Sequence, residues 1–523
     1  MKCIVGKSAI AEQADDFLHD ESRFTLGIPR KLCFPGSIGD IRTLLLESAR
    51  EGVPFTIIGG KTGITGGSVP QDGCTATCLS GMAKILGIRR LPNGDPMLLC
   101  EPGVSLETIS RFCDDPGAWE YAVDGIEALK DAAWFYPPDP TEMTAHLGGT
   151  VATNASGARS FLFGPTRAHI EELSVAFASG DTATIRRGAC KEVNSVFSFR
   201  TDQGARITFG KPAYLSPLIK NASGYFSGND MDLMDLFIGS EGTLAVFTAI
   251  GIRLTRKPRF VSGLSFFPDL SNALAAAAFL RRQPGVAALE YFDASALAIL
   301  EASRESMSLD LPQFPAGQGT AVYWEFVEKD SDPFENRMDE WENVFIRHGS
   351  SFENTWSGFE KADMDKLKSF RHAVPEAVNA AIARYNREYP GIRKISTDAA
   401  FPEAVFESST VASLDLAIAS KLEYAVFGHL GDFHLHFNLM PRNESEFEIA
   451  KHLYEEMMEI AIAAGGTVSA EHGIGKLKRS YLSKMFGVHA IDEMKRIKSS
   501  LDPQWLLNRG NLFEYDPAFS SPA

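Results

Sequence analysis

The sequence predicts an α+β protein with more than one domain. Its 523 residues exceed what a single hydrophobic core normally serves, and two to four domains are expected. In the N-terminal half, apolar strand-like runs lead into glycine-rich or proline-rich loops. From residue 257 onward, strand-like runs (261–267, 288–292, 321–326) alternate with helical runs (271–282, 336–348), which is typical of an antiparallel α+β layer domain. Residues 114–135 and 187–210 have the character of loop insertions.

Composition excludes several classes of function. The formal net charge of -16 disfavours binding to phosphate backbones, so nucleic acid is not expected as a partner. The apolar run from Ala273 to Leu280 is far shorter than the ~20 residues of a membrane span, which favours a cytoplasmic protein. The seven cysteines are scattered and lack C-x-x-C spacing, so we expect reduced structural thiols.

The first candidate ligand-binding segment follows a predicted strand. Residues 37–51 have helical apolar spacing and stop at Gly52, and the strand Val53–Ile58 comes next. The following loop, 59–68, has five glycines in ten residues, so its backbone can approach a ligand closely. It matches neither common nucleotide-loop pattern, and a plain surface turn is the alternative.

Four further segments have turn chemistry and no regular periodicity. They are YPPDPTE at 136–142, GGTVATNASG at 148–157, FGPTR at 163–167 and GSEGTLAVFT at 239–248, the last of which enters a strand.

A second constellation lies near the C-terminus. A short strand, Tyr424–Phe427, precedes GHLGDFHLHFNL at 428–439, which predicts a hairpin. Period-two alternation puts His434, His436 and Asn438 on one face, with His429 across the turn, and leaves the apolar side chains for the other face.

The residues after this hairpin add a carboxylate. A helix over 446–464, with Ile449, Leu453, Met457 and Ile460 on its inner face, is followed by a strand-like Thr467–Ser469 and then by Glu471-His472-Gly473-Ile474-Gly475. Two or three histidines with a carboxylate suit zinc or a similar divalent ion, and a further histidine can transfer protons. A single histidine is more often structural, but four within 44 residues favour a site, and His472 is the candidate base.

Taken together, these motifs resemble the FAD-binding family of vanillyl-alcohol oxidase and p-cresol methylhydroxylase. The branch most similar contains D-lactate, glycolate and D-2-hydroxyglutarate dehydrogenases. The resemblance rests on six motifs in the family's order: IIGGKTGITGG, PPDPTE, GGTVATNASG, FGPTR, GSEGTLAVFT and GHLGD-x-H-L-H followed by EHGIG. It extends over nearly the whole chain, to LDPQWLLNRGN at 501–511.

The resemblance implies a two-part FAD-binding domain of the p-cresol methylhydroxylase type plus an antiparallel α+β substrate cap domain. The expected boundaries are 1–256 for the FAD-binding domain, 257–465 for the cap and 466–523 for a segment that completes the site. FAD is expected to be bound without a covalent link. The implied FAD-binding residues are Gly59, Gly60, Lys61, Thr62, Gly63, Thr65, Gly66, Gly67, Pro138, Asp139, Gly149, Thr153, Asn154, Ser156, Gly157, Glu241, Gly242 and Asn508.

The resemblance also implies an activity: oxidation of a D-2-hydroxy acid, similar to D-lactate or glycolate, to the 2-oxo acid, with hydride passing to flavin N5 and a metal assisting. His429, His436 and Glu471 are the implied metal ligands, with zinc the expected ion. His472, Arg371 and Asn438 are the implied catalytic and substrate-contacting residues, Arg371 through the substrate carboxylate.

The chain departs from the family pattern at the substrate and metal motifs. Where the pattern usually reads G-D-G-N-x-H, residues 431–436 read G-D-F-H-L-H, so His434 takes the place of asparagine. Pro375 and Ser396 replace a threonine and a lysine, although Lys394 lies two positions away. We therefore expect a small D-2-hydroxy acid in preference to a dicarboxylate.

Two other functions would use part of the pattern. A metal-dependent hydrolase would use the histidines and Glu471 but would give the N-terminal glycine-rich and proline-rich loops no function. An inactive flavoprotein scaffold would give the EHGIG segment no function. For the proposed dehydrogenase we expect a quinone, an electron-transferring flavoprotein or a cytochrome as electron acceptor, with oxygen as a further alternative, and a homodimer is compatible with the sequence.

Overall fold

The computed structural model describes residues 1–521, which separate into two compact units. Unit 1 comprises Met1–Ser156, Gly164–Lys257 and the chain from Glu471 onward. Unit 2 comprises Gly157–Phe163 and Pro258–Ala470. Both contain helices and sheets, which confirms the α+β class.

The strands of the described chain, in order, are β1 Lys2–Val5, β2 Lys31–Phe34, β3 Phe55–Ile58, β4 Thr75–Cys78, β5 Ile85–Arg90, β6 Pro96–Cys100, β7 Trp134–Phe135, β8 Ile170–Ala176, β9 Thr182–Arg186, β10 Val196–Arg200, β11 Arg206–Gly210, β12 Val246–Arg253, β13 Thr255–Arg256, β14 Arg259–Phe267, β15 Val286–Phe292, β16 Thr320–Glu328, β17 Thr355–Gly358, β18 Ile395–Ser396, β19 Glu423–Gly428 and β20 His436–Met440.

The α-helices are α1 Lys7–Gln13, α2 Ile38–Glu51, α3 Leu106–Asp114, α4 Leu147–Thr153, α5 Ser160–Phe163, α6 Leu233–Phe237, α7 Leu270–Leu280, α8 Ala294–Ser303, α9 Glu335–Arg347, α10 Lys361–Glu388, α11 Glu403–Ser420, α12 Glu444–Ala463 and α13 Arg479–Leu501. Among residues 1–521, none of these helices combines the length and apolar character needed to cross a membrane.

Unit 1 contains two main sheets. The first has the order β1-β2-β4-β3, with β2, β4 and β3 parallel, and the second is the antiparallel sheet β5-β6-β12-β8-β9. Helix α2 begins after Ser37, whose hydroxyl accepts a hydrogen bond from the Asp40 N–H, and ends at Gly52 in the left-handed conformation. Ile41, Leu44 and Leu45 of this helix are fully buried, as the apolar spacing predicts.

Unit 2 is built on a seven-stranded antiparallel sheet with the order β17-β14-β16-β15-β19-β20-β18. Its core includes side chains from β14, β15 and β16 together with one face of α10. The strands β19 and β20 pair from Glu423 opposite Met440 to Phe427 opposite His436, so the predicted hairpin is confirmed. This pairing places the histidines at the turn end of the hairpin.

Several local predictions were wrong. Ile449 was expected on the inner face of α12 but is 45% exposed, and the buried face is formed by Ala450, Leu453, Met457, Met458 and Ala461. Thr467–Ser469 does not form a strand, and Thr467 forms an isolated bridge with Ala400. The segment 187–210 is not a plain loop, because β10 and β11 form a hairpin in it.

The expectation that all cysteines are reduced was also wrong. Cys3 and Cys33 form a disulfide, while the other cysteines are free. The two residues face each other across the antiparallel pair of β1 and β2, so the link joins two neighbouring strands. A scattered set of cysteines gives no sequence signal for this pairing, which depends on strand register.

Candidate active site

The glycine-rich loop at 59–68 follows β3 in unit 1. Its carbonyls have protein partners: Thr65 O accepts from the Lys476 N–H at 2.9 Å, and Gly66 O accepts from Lys476 Nζ at 3.1 Å. The backbone N–H groups from Gly59 to Thr65, by contrast, donate to no acceptor within the described part of the protein. A run of unused backbone donors is suited to an anion such as a pyrophosphate.

Asn508 connects β3, the strand before this loop, to the predicted segment at 241–242. Its Oδ1 accepts from the Ile57 N–H at 2.7 Å, and its Nδ2 donates to Glu241 O at 2.7 Å. A Cβ on Gly242 would lie 2.6 Å from Asn508 Nδ2, and Gly242 has φ +68°, so only glycine fits there. The structure therefore brings together β3, Glu241-Gly242 and Asn508, and their contact with FAD stays a prediction.

The predicted residues at 149–156 lie on α4 and just after it. Thr153 Oγ1 donates to Gly149 O, and Asn154 ends the helix in the left-handed conformation with φ 50°. A Cβ built on Gly149 would meet no atom within 4 Å, so this face of α4 is open to a ligand. Just before the helix, His146 Nδ1 is buried without a hydrogen-bond partner among residues 1–521, a polar atom that a cofactor could satisfy.

The four remaining predicted cofactor residues lie in separate places. Asp139 is buried, in the loop that also contains Pro138. Ser156 ends the first stretch of unit 1, whereas Gly157 belongs to unit 2, where its N–H donates to Ser160 Oγ.

Glu241 forms a buried carboxylate centre in unit 1. Burial raises the pKa of the Glu241 carboxyl to about 7, against the opposing effect of hydrogen bonds from the backbone of Ile474 and Gly475. Those two N–H groups lie 2.6 and 2.7 Å from the carboxylate oxygens. The carboxylate thereby fixes the segment that follows Glu471 and His472.

Glu471 and His472 belong to unit 1, where Lys220 is a partner that sequence reasoning missed. Lys220 Nζ lies 2.9 Å from Glu471 Oε2, and the two side chains are 5% and 9% exposed. His472 Nε2 lies 3.4 Å from Glu471 Oε1, and the His472 side chain is 35% exposed. Glu471 is thus an oriented, nearly buried carboxylate, and His472 is accessible enough to exchange protons.

The candidate imidazoles lie together in unit 2. The ring centroids of His429 and His436 are 6.0 Å apart, and His434 lies 5.5 Å from the first and 4.4 Å from the second. His429 Nδ1 contacts Glu290 Oε1 at 2.7 Å, and His436 Nδ1 contacts Thr397 O at 2.8 Å. Because each acceptor holds the proton on Nδ1, the lone pair of each neutral ring is on Nε2, the arrangement that metal-binding histidines use.

Arg371 is connected to the imidazoles through Glu290. It lies on α10 and is 4% exposed, and its Nε is 3.8 Å from Glu290 Oε2. The other oxygen of this carboxylate is the one that contacts His429. Glu290 was missed at the sequence level, although a lone carboxylate in the apolar strand VAALEYF is a usable signal.

Asn438 is buried on β20 and its Nδ2 donates to Ala425 O and His436 O, each at 3.2 Å. These bonds hold the amide against the hairpin. Its predicted contact with substrate stays a prediction.

The loop between His429 and His436 has an unusual backbone. Phe433 adopts the left-handed conformation with φ 55°, which costs a residue with a Cβ roughly 1–2 kcal/mol. Arg281 offsets this cost, because its guanidinium lies 3.5 Å from the Phe433 ring centroid and its Nε donates to Gly431 O at 2.8 Å. The turn is closed by the His434 N–H, which donates to His429 O.

Comparison with known proteins identifies the fold and the cofactor. A family model described as FAD linked oxidases, C-terminal domain, matches residues 257–512, and an FAD binding domain model matches residues 124–186. The chain therefore contains the C-terminal domain of FAD linked oxidases and an FAD binding domain. Oxidoreductase chemistry with FAD, as predicted from the motifs, is confirmed at this level.

Relatives cover most of this chain at low identity. It is 27% identical to the glycolate oxidase subunit GlcD of Bacillus subtilis, over 94% of this chain and 90% of the relative. It is 28% identical to a probable mitochondrial D-lactate dehydrogenase of Danio rerio (97% and 88% covered) and 24% identical to a D-2-hydroxyglutarate dehydrogenase of Stutzerimonas stutzeri (98% of each).

A solved structure of alkyldihydroxyacetonephosphate synthase has the same fold. Its TM-score is 0.60 at 13% identity, over 92% of this chain and 76% of that one. The predicted p-cresol methylhydroxylase type of fold is thereby confirmed.

Proposed function

We propose that this chain is an FAD-linked dehydrogenase that oxidises a small D-2-hydroxy acid, of the D-lactate or glycolate kind, to the 2-oxo acid. Each of the three relatives is named for a 2-hydroxy acid: glycolate, D-lactate or D-2-hydroxyglutarate. The observation that carries the proposal is the Arg371–Glu290–His429 chain, which puts a buried guanidinium beside a cluster of oriented imidazoles. Such a pairing suits a ligand with a carboxylate and a neighbouring hydroxyl.

The residues present fit both groups that this chemistry needs. The unused N–H groups of the loop 59–68, the open face at Gly149 and the buried His146 Nδ1 fit FAD. His429 and His436 fit a divalent ion such as zinc, and Glu471 is the proposed third ligand. When bound, FAD supplies the hydride acceptor at N5 and the metal supplies a Lewis acid for the hydroxyl and carboxylate oxygens.

The protein's own residues bind and orient the substrate and accept its hydroxyl proton. Arg371 neutralises the substrate carboxylate with a fixed, always protonated guanidinium, and its planar donors set the orientation of the ligand. His472 accepts the hydroxyl proton on its imidazole, and Glu471 Oε1, 3.4 Å from His472 Nε2, stabilises the imidazolium that forms. Asn438 contacts the substrate from the hairpin. Lys220 holds the Glu471 carboxylate in one orientation.

A metal-dependent hydrolase does not account for the chain equally well. It would use the imidazoles and Glu471, but it gives no role to the FAD binding domain matched at 124–186 or to the unused donors of the loop 59–68. The dehydrogenase uses both halves of the sequence.

The test is anaerobic reduction of the purified protein. We expect the protein to be yellow and its flavin absorbance near 450 nm, the position usual for flavins, to bleach with a D-2-hydroxy acid much faster than with its L-enantiomer. Protein that carries no flavin and takes up no added FAD would refute the proposal. So would flavin that no member of a D- and L-2-hydroxy acid panel reduces.

The expected size of the substrate is based on Pro375 and Ser396, which replace the threonine and lysine of the family pattern. We expect D-lactate or D-glycerate to reduce the flavin faster than D-2-hydroxyglutarate, because neither side chain supplies a charge for a distal carboxylate. Lys394 is the nearby cation, and its Nζ is engaged by Asn379 Oδ1 at 2.9 Å. Faster flavin reduction by D-2-hydroxyglutarate than by D-lactate would contradict this expected preference for a small substrate. If the preference for the dicarboxylate then disappeared in Lys394→Met, Lys394 would be the group that binds the distal carboxylate.

The second half-reaction passes the electrons to an acceptor. We propose a quinone, an electron-transferring flavoprotein or a cytochrome. Reoxidation of the substrate-reduced flavin by each acceptor in turn, followed at 450 nm, distinguishes them.

A further inference from the structure

His434 is the one member of the imidazole cluster that the proposed metal site does not use. It is fully buried, and one ring nitrogen from each of the three histidines lies within 4.8 Å of the others. The approach to His436, 4.4 Å between ring centroids, is the shortest in the cluster. A buried imidazole this close to two others must either share a bound cation with them or remain neutral.

A buried carboxylate, that of Asp398, lies beside the His434 ring. Asp398 Oδ1 lies 3.2 Å from Nε2, and this carboxylate is itself held by Ser469 Oγ at 2.6 Å and by the Ala470 N–H at 3.2 Å. A carboxylate beside Nε2 favours the proton on that nitrogen and puts the lone pair on Nδ1. His429 and His436 are thus oriented by the oxygen acceptors Glu290 and Thr397, and His434 has the Asp398 carboxylate beside its Nε2.

The local backbone also directs His434 into the cluster. Phe433 is left-handed, and the His434 N–H closes the turn onto His429 O. Arg281 clamps this turn through the Phe433 ring and Gly431 O. The position of His434 is thus fixed from both sides by contacts within unit 2.

We propose that His434 is a third imidazole ligand, so that the metal centre is a three-histidine site with a preference for zinc-class ions over manganese or magnesium. The proposal rests on the proposed metal site and adds a ligand to it. Imidazole nitrogen suits zinc, cobalt, nickel and copper, whereas carboxylate and carbonyl oxygen suit magnesium and manganese. A third imidazole at position 434 therefore favours zinc-class ions over manganese or magnesium.

The test measures metal binding directly, without substrate. Metal-free protein prepared with a chelator is titrated with Zn²⁺ and with Mn²⁺ in competition with a chromophoric chelator. We expect His434→Asn to weaken Zn²⁺ binding by at least ~10²-fold, beyond the 10–100-fold typical of residues that only orient a ligand, and to change Mn²⁺ binding by less than ~10-fold. Unchanged Zn²⁺ affinity, or equal losses for both ions, would overturn the proposal.

A matched control is available in the same unit. His452 lies on α12 with its side chain 75% exposed, and its contacts are with Glu455 and Glu456. The substitution His452→Asn makes the same chemical change away from the cluster and should leave both affinities unchanged. Thermal melting and flavin content of both variants show whether they fold.

Should His434→Asn not fold, X-ray absorption at the zinc edge of the wild-type protein decides the question. Three imidazoles around zinc support the proposal, and two, or no zinc uptake at all, overturn it. Failure of the proposed function would be seen separately: a three-imidazole zinc site in a protein whose flavin no 2-hydroxy acid reduces would refute the activity and leave the ligand assignment standing.

Discussion

Glu290 offers the sharpest test of how the imidazole cluster is supported. Its carboxylate is 2.7 Å from His429 Nδ1, a distance typical of a charge-assisted hydrogen bond. Glu290→Gln keeps the side-chain volume and an acceptor oxygen but removes the charge. A bond to a charged acceptor contributes about 1.5–3 kcal/mol and a neutral one about 0.5–1.5, so the difference is about 1–2 kcal/mol. We therefore expect Zn²⁺ affinity to fall about 5–30-fold.

Glu290→Ala should lose the whole interaction and weaken metal binding by ~10–100-fold. The assay is the chelator competition described above, accompanied by anaerobic flavin-reduction rates and melting curves. Glu325→Gln is the matched control: it is a buried carboxylate on the adjacent strand, paired with Arg159 at 2.7 Å and with Tyr323 at 2.5 Å. Equal losses of affinity in both glutamine variants, or none in Glu290→Gln, would refute the role of Glu290.

Three further outcomes are expected. His436→Ala should lower metal occupancy, whereas His472→Ala should keep the metal and slow flavin reduction by ~10²–10⁴-fold. Metal analysis and stopped-flow reduction measure the two effects. Metal loss in His472→Ala with full occupancy in His436→Ala would mean that the two roles are reversed. Burial raises the pKa of the Asp293 carboxyl to about 6 from its ordinary 3.8, so the folded state favours the protonated carboxyl. The stability that this protonated group contributes is fully present below pH 4 and is lost as pH rises through 6. Melting curves should therefore show wild type losing on the order of 3 kcal/mol relative to Asp293→Asn between pH 4 and 7, and parallel curves would contradict this. Denatured, unreduced protein should titrate five thiols because Cys3 and Cys33 are linked, and seven would refute the disulfide.

Elements with strong local signals could be predicted from the sequence. Helix α2 has apolar spacing, an N-cap serine and a C-terminal glycine, and the hairpin β19–β20 has strict alternation around a Gly-Asp turn. The inner face of α12 was misjudged because small alanines, Ala450 and Ala461, make the close contact there, while the larger Ile449 points outward. Side-chain size alone does not reveal which face of a helix packs most closely.

The groups that orient the site could not be predicted by spacing. Glu290 and His429 are 139 residues apart, and Lys220 and Glu471 are 251 residues apart. These pairs depend on strand order and on loop packing, neither of which leaves a periodic trace in the sequence. The motif residues were recognisable because each lies in a short, ordered run, whereas their partners are single charged residues in otherwise unremarkable segments.

Glu290 also couples metal binding at His429 to substrate binding at Arg371. One of its oxygens contacts His429 and the other lies 3.8 Å from Arg371 Nε, so the same charge serves the proposed metal ligand and the proposed carboxylate-binding residue. A cation on His429 draws electron density from the imidazole and strengthens the His429–Glu290 hydrogen bond, which leaves less of the carboxylate charge to neutralise Arg371. Metal binding should therefore increase the effective positive charge that Arg371 presents to a substrate carboxylate. Loss of the metal would weaken substrate binding through Glu290 even for ligands that never contact the ion.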